Sequence, residues 1–365
     1  MMSKKIVSIC SLAIVGVFAG MSIAEAAYST KAITQNAYTD WSPQINDNGR
    51  VVWSGYDGTD FEIYVYDDAT HVTTQLTNNT YEDNSPQINN SGQVVWVGQT
   101  YFGGGNKDVF FYNGTTTLRL TDNTLDEIAP MINDNGQIVW YGFDGTDYEI
   151  YLYDGGTITQ LTNNSSWDSD PQINASGQVA WNGTDGDFEV YFYNGTTTIK
   201  LTDNATDDSG AQINDNGHIV WTGWDGADWE IFLYNGSTTT QLTANDYYDA
   251  SPRLNATDQV AWIGQPVNDG TTDMEIYFYN GTTTLRLTTN GLTDWQPQIN
   301  DSGHVVWNGG SGSEIYVYDG TTTWDLSNTI GYDDFPAINN SGQVVWDGYS
   351  GDGDTEIYLA VPRGN

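Results

Sequence analysis

Three six-residue stretches carry acids at a spacing suited to a hard cation: Asp57, Asp60 and Glu62; Asp144, Asp147 and Glu149; Asp225, Asp228 and Glu230. Each reads Asp-Gly-x-Asp-x-Glu. Oxygen ligands on a glycine-bearing turn suit calcium, and Asp57, Asp60, Asp144, Asp147, Asp225 and Asp228 are the candidate ligands. A complete calcium-loop spacing is missing. The competing reading is that these aspartates accept backbone N–H bonds and set the turns. A second series gives one aspartate per repeat: Asp40, Asp83, Asp126, Asp168, Asp207, Asp249, Asp294 and Asp333. One ion cannot bridge acids from eight repeats, and a position filled in every repeat is what a structural role predicts.

Aromatic residues on the same loops are less regular. Trp41, Tyr81, Trp167, Tyr247, Trp295 and Tyr332 lie between repeats, and Tyr56, Phe143 and Trp224 stand ahead of Asp-Gly. A flat ring beside Asp or Asn holds a sugar by stacking plus hydrogen bonds, and the same pairing anchors protein partners. Trp41, Tyr81, Trp167, Trp224, Tyr247, Trp295 and Tyr332 are therefore the ligand-binding candidates. The competing reading is that they cap grooves between packed units.

Catalytic signals are sparse. The chain has one cysteine, Cys10, three histidines (His71, His218, His304) and no Gly-x-Ser-x-Gly. No histidine pair has metal-ligand spacing. Catalysis needs distinct residues at one spot, whereas this chain mostly offers one residue eight times. The residues favour a non-catalytic binding scaffold for a glycan or a protein. The alternative is a carbohydrate-active enzyme, a polysaccharide lyase or a carboxylate-only glycoside hydrolase. Arg253 stands where other repeats have Gln44, Gln87, Met131, Gln172, Gln212, Gln298 and Ala337, and is expected to pair with nearby carboxylates, the alternative being that it holds an anion.

The elements that must position these residues recur with Trp53, Trp96, Trp140, Trp181, Trp221, Trp262, Trp307 and Trp346, spaced 39 to 45 residues apart. Such a period marks a repeat architecture. The first unit shows four strand signals, Pro43–Asn46, Arg50–Trp53, Glu62–Tyr66 and Thr74–Thr77, separated by Asp-Asn-Gly and Asp-Gly turns. Four strands per unit is the arithmetic of a propeller blade. The fold class is all-β, a single eight-bladed β-propeller over residues 27–365. The last unit has three strands, and Lys31–Thr34 is expected to supply its fourth and close the ring.

Residues 1–26 read as a secretory signal peptide: Lys4 and Lys5, an apolar run, then Ala24-Glu25-Ala26. Removal would take Cys10 with it and leave no anchor for stable membrane insertion. The location expected is secreted, periplasmic or at the cell surface. The net charge of −38 repels nucleic acid and favours cations or basic partners. It also keeps a protein soluble, and a monomer is expected.

At Leu76-Thr77-Asn78-Asn79, Asp83, Ser85-Pro86, Gly92 and later Glu149-Ile150-Tyr151, the units resemble the TolB-like, WD-like propeller repeat. The resemblance covers nearly the whole chain after residue 26. It implies the propeller and a place outside the cytoplasm. The turn here is Ile-Asn-Asp-Asn-Gly where that family has Ser-Pro-Asp-Gly, and the resemblance carries no activity with it.

Overall fold

Val51-Val52-Trp53 puts bulky groups on both faces of one strand, and both faces are buried. Both faces are buried at all eight repeats, with alanine in place of the middle residue at Ala180 and Ala261. The computed structural model describes residues 27–99, 105–265, 273–327, 331–351 and 353–363. The signal-peptide reading of residues 1–26 lies outside them. Among the described residues no helix is long and apolar enough to cross a membrane.

The chain forms eight four-stranded antiparallel sheets in a ring. Blade 1 consists of Asp40–Ile45, Arg50–Tyr56, Phe61–Asp67 and Val72–Gln75, from the channel outward. Blades 2 to 8 begin at Glu82, Glu127, Asp168, Asp208, Asp249, Asp294 and Asp333. In every blade the framework tryptophan pairs across the sheet with an aromatic of the third strand and stacks on it. Trp53 lies 5.7 Å from Tyr64, and Trp181 lies 5.7 Å from Tyr191. Such pairs add to the area each ring buries. The apolar clusters lie between blades. Val51 and Trp53 of blade 1 pack on Val345, Ile357 and Leu359 of blade 8.

Tyr28–Ala32 pairs antiparallel with Thr355–Pro362, from Tyr28 opposite Pro362 to Ala32 opposite Tyr358. The N-terminal strand thus completes the last blade and closes the ring. It starts three residues before the expected Lys31–Thr34, and Ile33 and Thr34 stay bonded to the same last-blade strand. The Ile33 N–H donates to the Ile357 carbonyl, and the Thr34 hydroxyl accepts from the Ile357 N–H at 2.8 Å. Thr77 does the same for Ile63 in blade 1.

Two further devices hold the ring. Asn46, Asn89, Asn133, Asn174, Asn214, Asn255, Asn300 and Asn339 form a closed girdle, each side-chain amide donating to the backbone carbonyl of the next at 2.9 to 3.0 Å. Each innermost strand also carries a β-bulge, as between Trp41 and Gln44. Its turning residue has positive φ in every blade: Ser42, Ser85, Ala129, Asp170, Gly210, Ser251, Gln296 and Phe335. Proline follows in seven blades, and the remaining one, blade 5, has glycine at the strained position, Gly210-Ala211. A bulge re-aims the side chains around it, and a non-glycine residue in this region costs of order 1–3 kcal/mol.

Candidate functional site

The repeated acids belong to the frame. Asp40 is buried, and its oxygens accept the indole N–H of Trp53 at 2.9 Å and the Asn36 amide at 2.7 Å. The same acid-to-indole bond joins Asp83 to Trp96, Asp168 to Trp181, Asp249 to Trp262 and Asp333 to Trp346. Asp294 and Trp307 hold the equivalent places in blade 7. Two of the eight assigned acids need correction. Trp140 donates to Glu127 and Trp221 to Asp208, not to Asp126 and Asp207. Asp126 and Asp207 accept the backbone N–H groups of Lys107 and Phe188 instead. Burial lifts these framework carboxyls above their ordinary range, to about 6 at Asp40, Asp249 and Asp294 and to about 7 at Asp83. The indole and amide donors oppose that rise without cancelling it.

The Asp-Gly-x-Asp-x-Glu loops divide their labour. The first aspartate sets the turn, as the competing reading held: Asp57 Oδ1 accepts from Thr59 N–H at 2.8 Å, Asp144 Oδ1 from Thr146 at 2.7 Å, and Asp225 Oδ1 from Ala227 at 2.9 Å. The second aspartate does not. Asp60, Asp147 and Asp228 turn toward the buried glutamates Glu62, Glu149 and Glu230. In each loop the three acids bring ligand-capable oxygens within 4.8 Å of one another. Burial, then repulsion from Glu62, Asp57 and Glu82, lifts Asp60 to about 6, and burial lifts Glu230 to about 7. A fourth cluster, Asp185, Asp187 and Glu189, escaped the sequence search because its loop is one residue shorter.

The interblade loops and the loops between second and third strands share one face, where the Trp167 N–H donates to the Thr184 hydroxyl. Two aromatic grooves open there. One holds Trp167, Tyr141, Phe188 and Trp229 beside Ser169, Asp170, Asn182 and Gln212. Trp167 is 53% exposed and stacks on Tyr148 at 5.2 Å, so one side of its indole is backed and the other is bare. The second groove brings together Trp41, Tyr332 and Phe335 with Asp334 and Asp347. Tyr332 is 76% exposed, while Trp41 lies flat on Phe61 at 4.5 Å. The grooves centre on blades 4 and 8, across the ring from each other.

The other aromatic candidates are scattered. Trp295 is 46% exposed and belongs to neither groove. Trp224 is partly exposed and meets Trp229 edge-on at 5.8 Å. Tyr247 is half-buried. Tyr81 is half-buried against Phe110, with the Arg119 guanidinium 5.8 Å from its ring centre. Sequence reasoning missed Phe188, Trp229 and Phe335. Each lies at a position that the blade pattern marks as strand or bulge, so only exposure, at Phe188 and Phe335, or the groove lining, at Trp229, reveals it. Arg253 also departs from expectation. Among the described residues it forms no carboxylate pair, and its guanidinium donates to the Pro252 carbonyl at 3.2 Å. The strands around it present glutamines, and burial lowers its pKa.

No protein-family model matches the chain, and no curated protein matches it in sequence. Solved structures do match in shape. Oligogalacturonate lyase from Vibrio parahaemolyticus aligns with a TM-score of 0.58 at 10% identity, over 93% of this chain and 94% of that one. A puromycin-hydrolysing peptidase from Mycobacterium tuberculosis aligns with a TM-score of 0.57 at 12% identity, over 86% of this chain and 58% of that one. The β-propeller domain of the Trilobed protease from Pyrococcus furiosus gives 0.50 at 14% identity, over 69% of this chain and 84% of that one. At these identities the likeness shows the propeller fold alone.

Proposed function

We propose that this propeller is a non-catalytic TolB-like scaffold that works outside the cytoplasm and holds a neutral glycan on its loop face. The observation that carries the reading is Trp167, a half-exposed indole backed by Tyr148 and flanked by Asp170, Asn182 and Gln212. A sugar ring stacks on the bare side, and its hydroxyls meet the amide and carboxylate groups. Stacking needs no charge, so it works against a net charge of −38. A polyanionic polysaccharide would be repelled. The test is binding of the purified chain to a glycan array, confirmed by calorimetry. Saturable binding of a neutral glycan supports the reading, and binding only to basic proteins replaces it.

A second reading rests on the groove at blade 8. Asp347 is buried there, pairs across the strands with Asp334, and is lifted to about 7 by burial. A carboxyl that keeps its proton near neutrality beside a second carboxylate is the equipment of glycoside hydrolysis. Against it, Asp347 already accepts the Ser42 N–H at 2.9 Å. Glycan cleavage that disappears in Asp347→Asn, with binding at Trp167 intact, would establish this reading over the first.

A further inference from the structure

Blades 1, 3 and 5 differ from blades 2, 4 and 6 in how they treat one buried charge. In all six, the third strand buries a carboxylate: Glu62, Asp108, Glu149, Glu189, Glu230 and Glu275. The even blades bring a cation to it from the outermost strand. Arg119 lies 2.6 Å from Asp108, Lys200 lies 3.2 Å from Glu189, and Arg286 lies 2.9 Å from Glu275. At the same register position the odd blades have Gln75, Gln160 and Gln241, opposite Tyr64, Tyr151 and Phe232. Glutamine brings no charge. Yet the loops of these blades, like that of blade 4, add two aspartates. Withdrawing a cation from a buried carboxylate while adding two anions is strongly unfavourable unless a cation returns.

A separate observation shows where a cation would fit. Asp60 is 6% exposed, and its buried Oδ1 accepts no hydrogen bond. Both carboxylate oxygens of Asp147 and of Asp228 are likewise buried and receive no donor. These groups face the glutamate and the turn-setting aspartate of their own loop, within the 4.8 Å that a single ion can span. Blade 4 displays the filled arrangement. Its cluster of Asp185, Asp187 and Glu189 is equally tight, and the Lys200 ammonium lies 2.6 Å from Asp185 as well as near Glu189.

We propose that blades 1, 3 and 5 each bind one divalent cation between the two aspartates and the glutamate of the loop, and that Lys200 is the built-in substitute in blade 4. The donor set is all oxygen, which selects a hard cation over zinc or copper. Three carboxylates at an open loop suit calcium, whose remaining positions are taken by water, better than the strict octahedron of magnesium. The glutamine supplies one more oxygen. The Gln241 side chain reaches Asp225 at 3.4 Å, and turning its amide over presents Oε1 at the same place. The proposal does not rest on the glycan reading.

The experiment is calorimetric titration of the chelator-stripped chain with calcium chloride, with magnesium and manganese chlorides as separate arms, and thermal melts alongside. Three equivalents of calcium and a higher melting temperature are expected. Gln160→Lys copies blade 4 into blade 3, so the fold should persist while uptake falls to two equivalents. Lys200→Gln should raise uptake to four. Absence of saturable uptake of any of the three metals, or a Gln160→Lys chain that folds and still takes up three, overturns the proposal.

Discussion

Trp181 and Trp167 lie fourteen residues apart and do opposite work. Trp181 is fully buried, stacks on Tyr191 and gives its N–H to Asp168 at 3.0 Å. Trp167 stacks on Tyr148 and leaves its other face bare. The first is one of eight equivalents around the ring. The second has an aromatic counterpart in some blades and none in others. Where a residue type recurs in every blade, the requirement is the blade's own. Where it varies on a rigid ring, the requirement comes from something that touches the ring. The same contrast applies to the acids. Asp40 and its equivalents are repeated, and in seven of the eight blades they accept an indole N–H, whereas Asp60, Asp147 and Asp228 occur in three blades and have no donor.

The largest effect expected is from Trp181→Ala, which empties a fully buried site and should destabilise the chain by about 3–5 kcal/mol. Chemical denaturation reads this directly. A loss under about 1 kcal/mol would place Trp181 with the loop tryptophans and dissolve the distinction. Next comes Asp168→Ala. It leaves the Trp181 indole N–H buried without its acceptor, frees the exposed Asn164 amide, and should cost about 1–3 kcal/mol.

The pH dependence sharpens the contrast between the acids. Folding raises Asp40, Asp249 and Asp294 to about 6 and Asp83 to about 7. The folded state therefore holds these protons more tightly than the unfolded chain does. The resulting stability is complete below about pH 4 and is lost as the pH rises through 6 to 7. Asp319 works the other way, since its turn and indole donors hold it at about 2, so its contribution fades only below about pH 4. The melting temperature without divalent metal should be higher at pH 5 than at pH 8. High salt, which screens surface repulsion, should leave much of that difference in place. A melting temperature that falls steadily from pH 8 to pH 5 would contradict the burial of these carboxyls. The smallest effect is that of Trp295→Ala on stability, expected within about 0.5 kcal/mol because the ring is nearly half exposed.

Much of the frame was legible because its signals are local. The tryptophan period, the Asp-Gly and Asn-Gly turns and the Ser-Pro dipeptides each act within a few residues. The Ser-Pro pairs proved to mark the bulges. What escaped notice was long-range or cryptic. The girdle asparagines read as the ends of first-strand signals, as in Pro43–Asn46, but Asn46 sends its amide to Asn89, forty-three residues on. The acid that meets each indole lies thirteen residues before it, a spacing that would have chosen Glu127 and Asp208 over Asp126 and Asp207. The alternation of glutamine with arginine or lysine at Gln75, Arg119, Gln160, Lys200, Gln241 and Arg286 is plain in the sequence once the register is known. Without the register nothing ties it to the acidic loops. The grooves required the ring itself, since Tyr332 and Trp41 meet only where the last blade joins the first.

The central claim is that repeated residues build the ring and varied loop residues meet a ligand. Its most direct test is Trp167→Ala, measured for melting temperature and for affinity toward the neutral glycan selected on the array. The account expects an unchanged melting temperature and binding weaker by about 1–3 kcal/mol, the scale of a stacked anchor. A melting temperature that drops as far as that of Trp181→Ala, or an affinity that does not move, would contradict it.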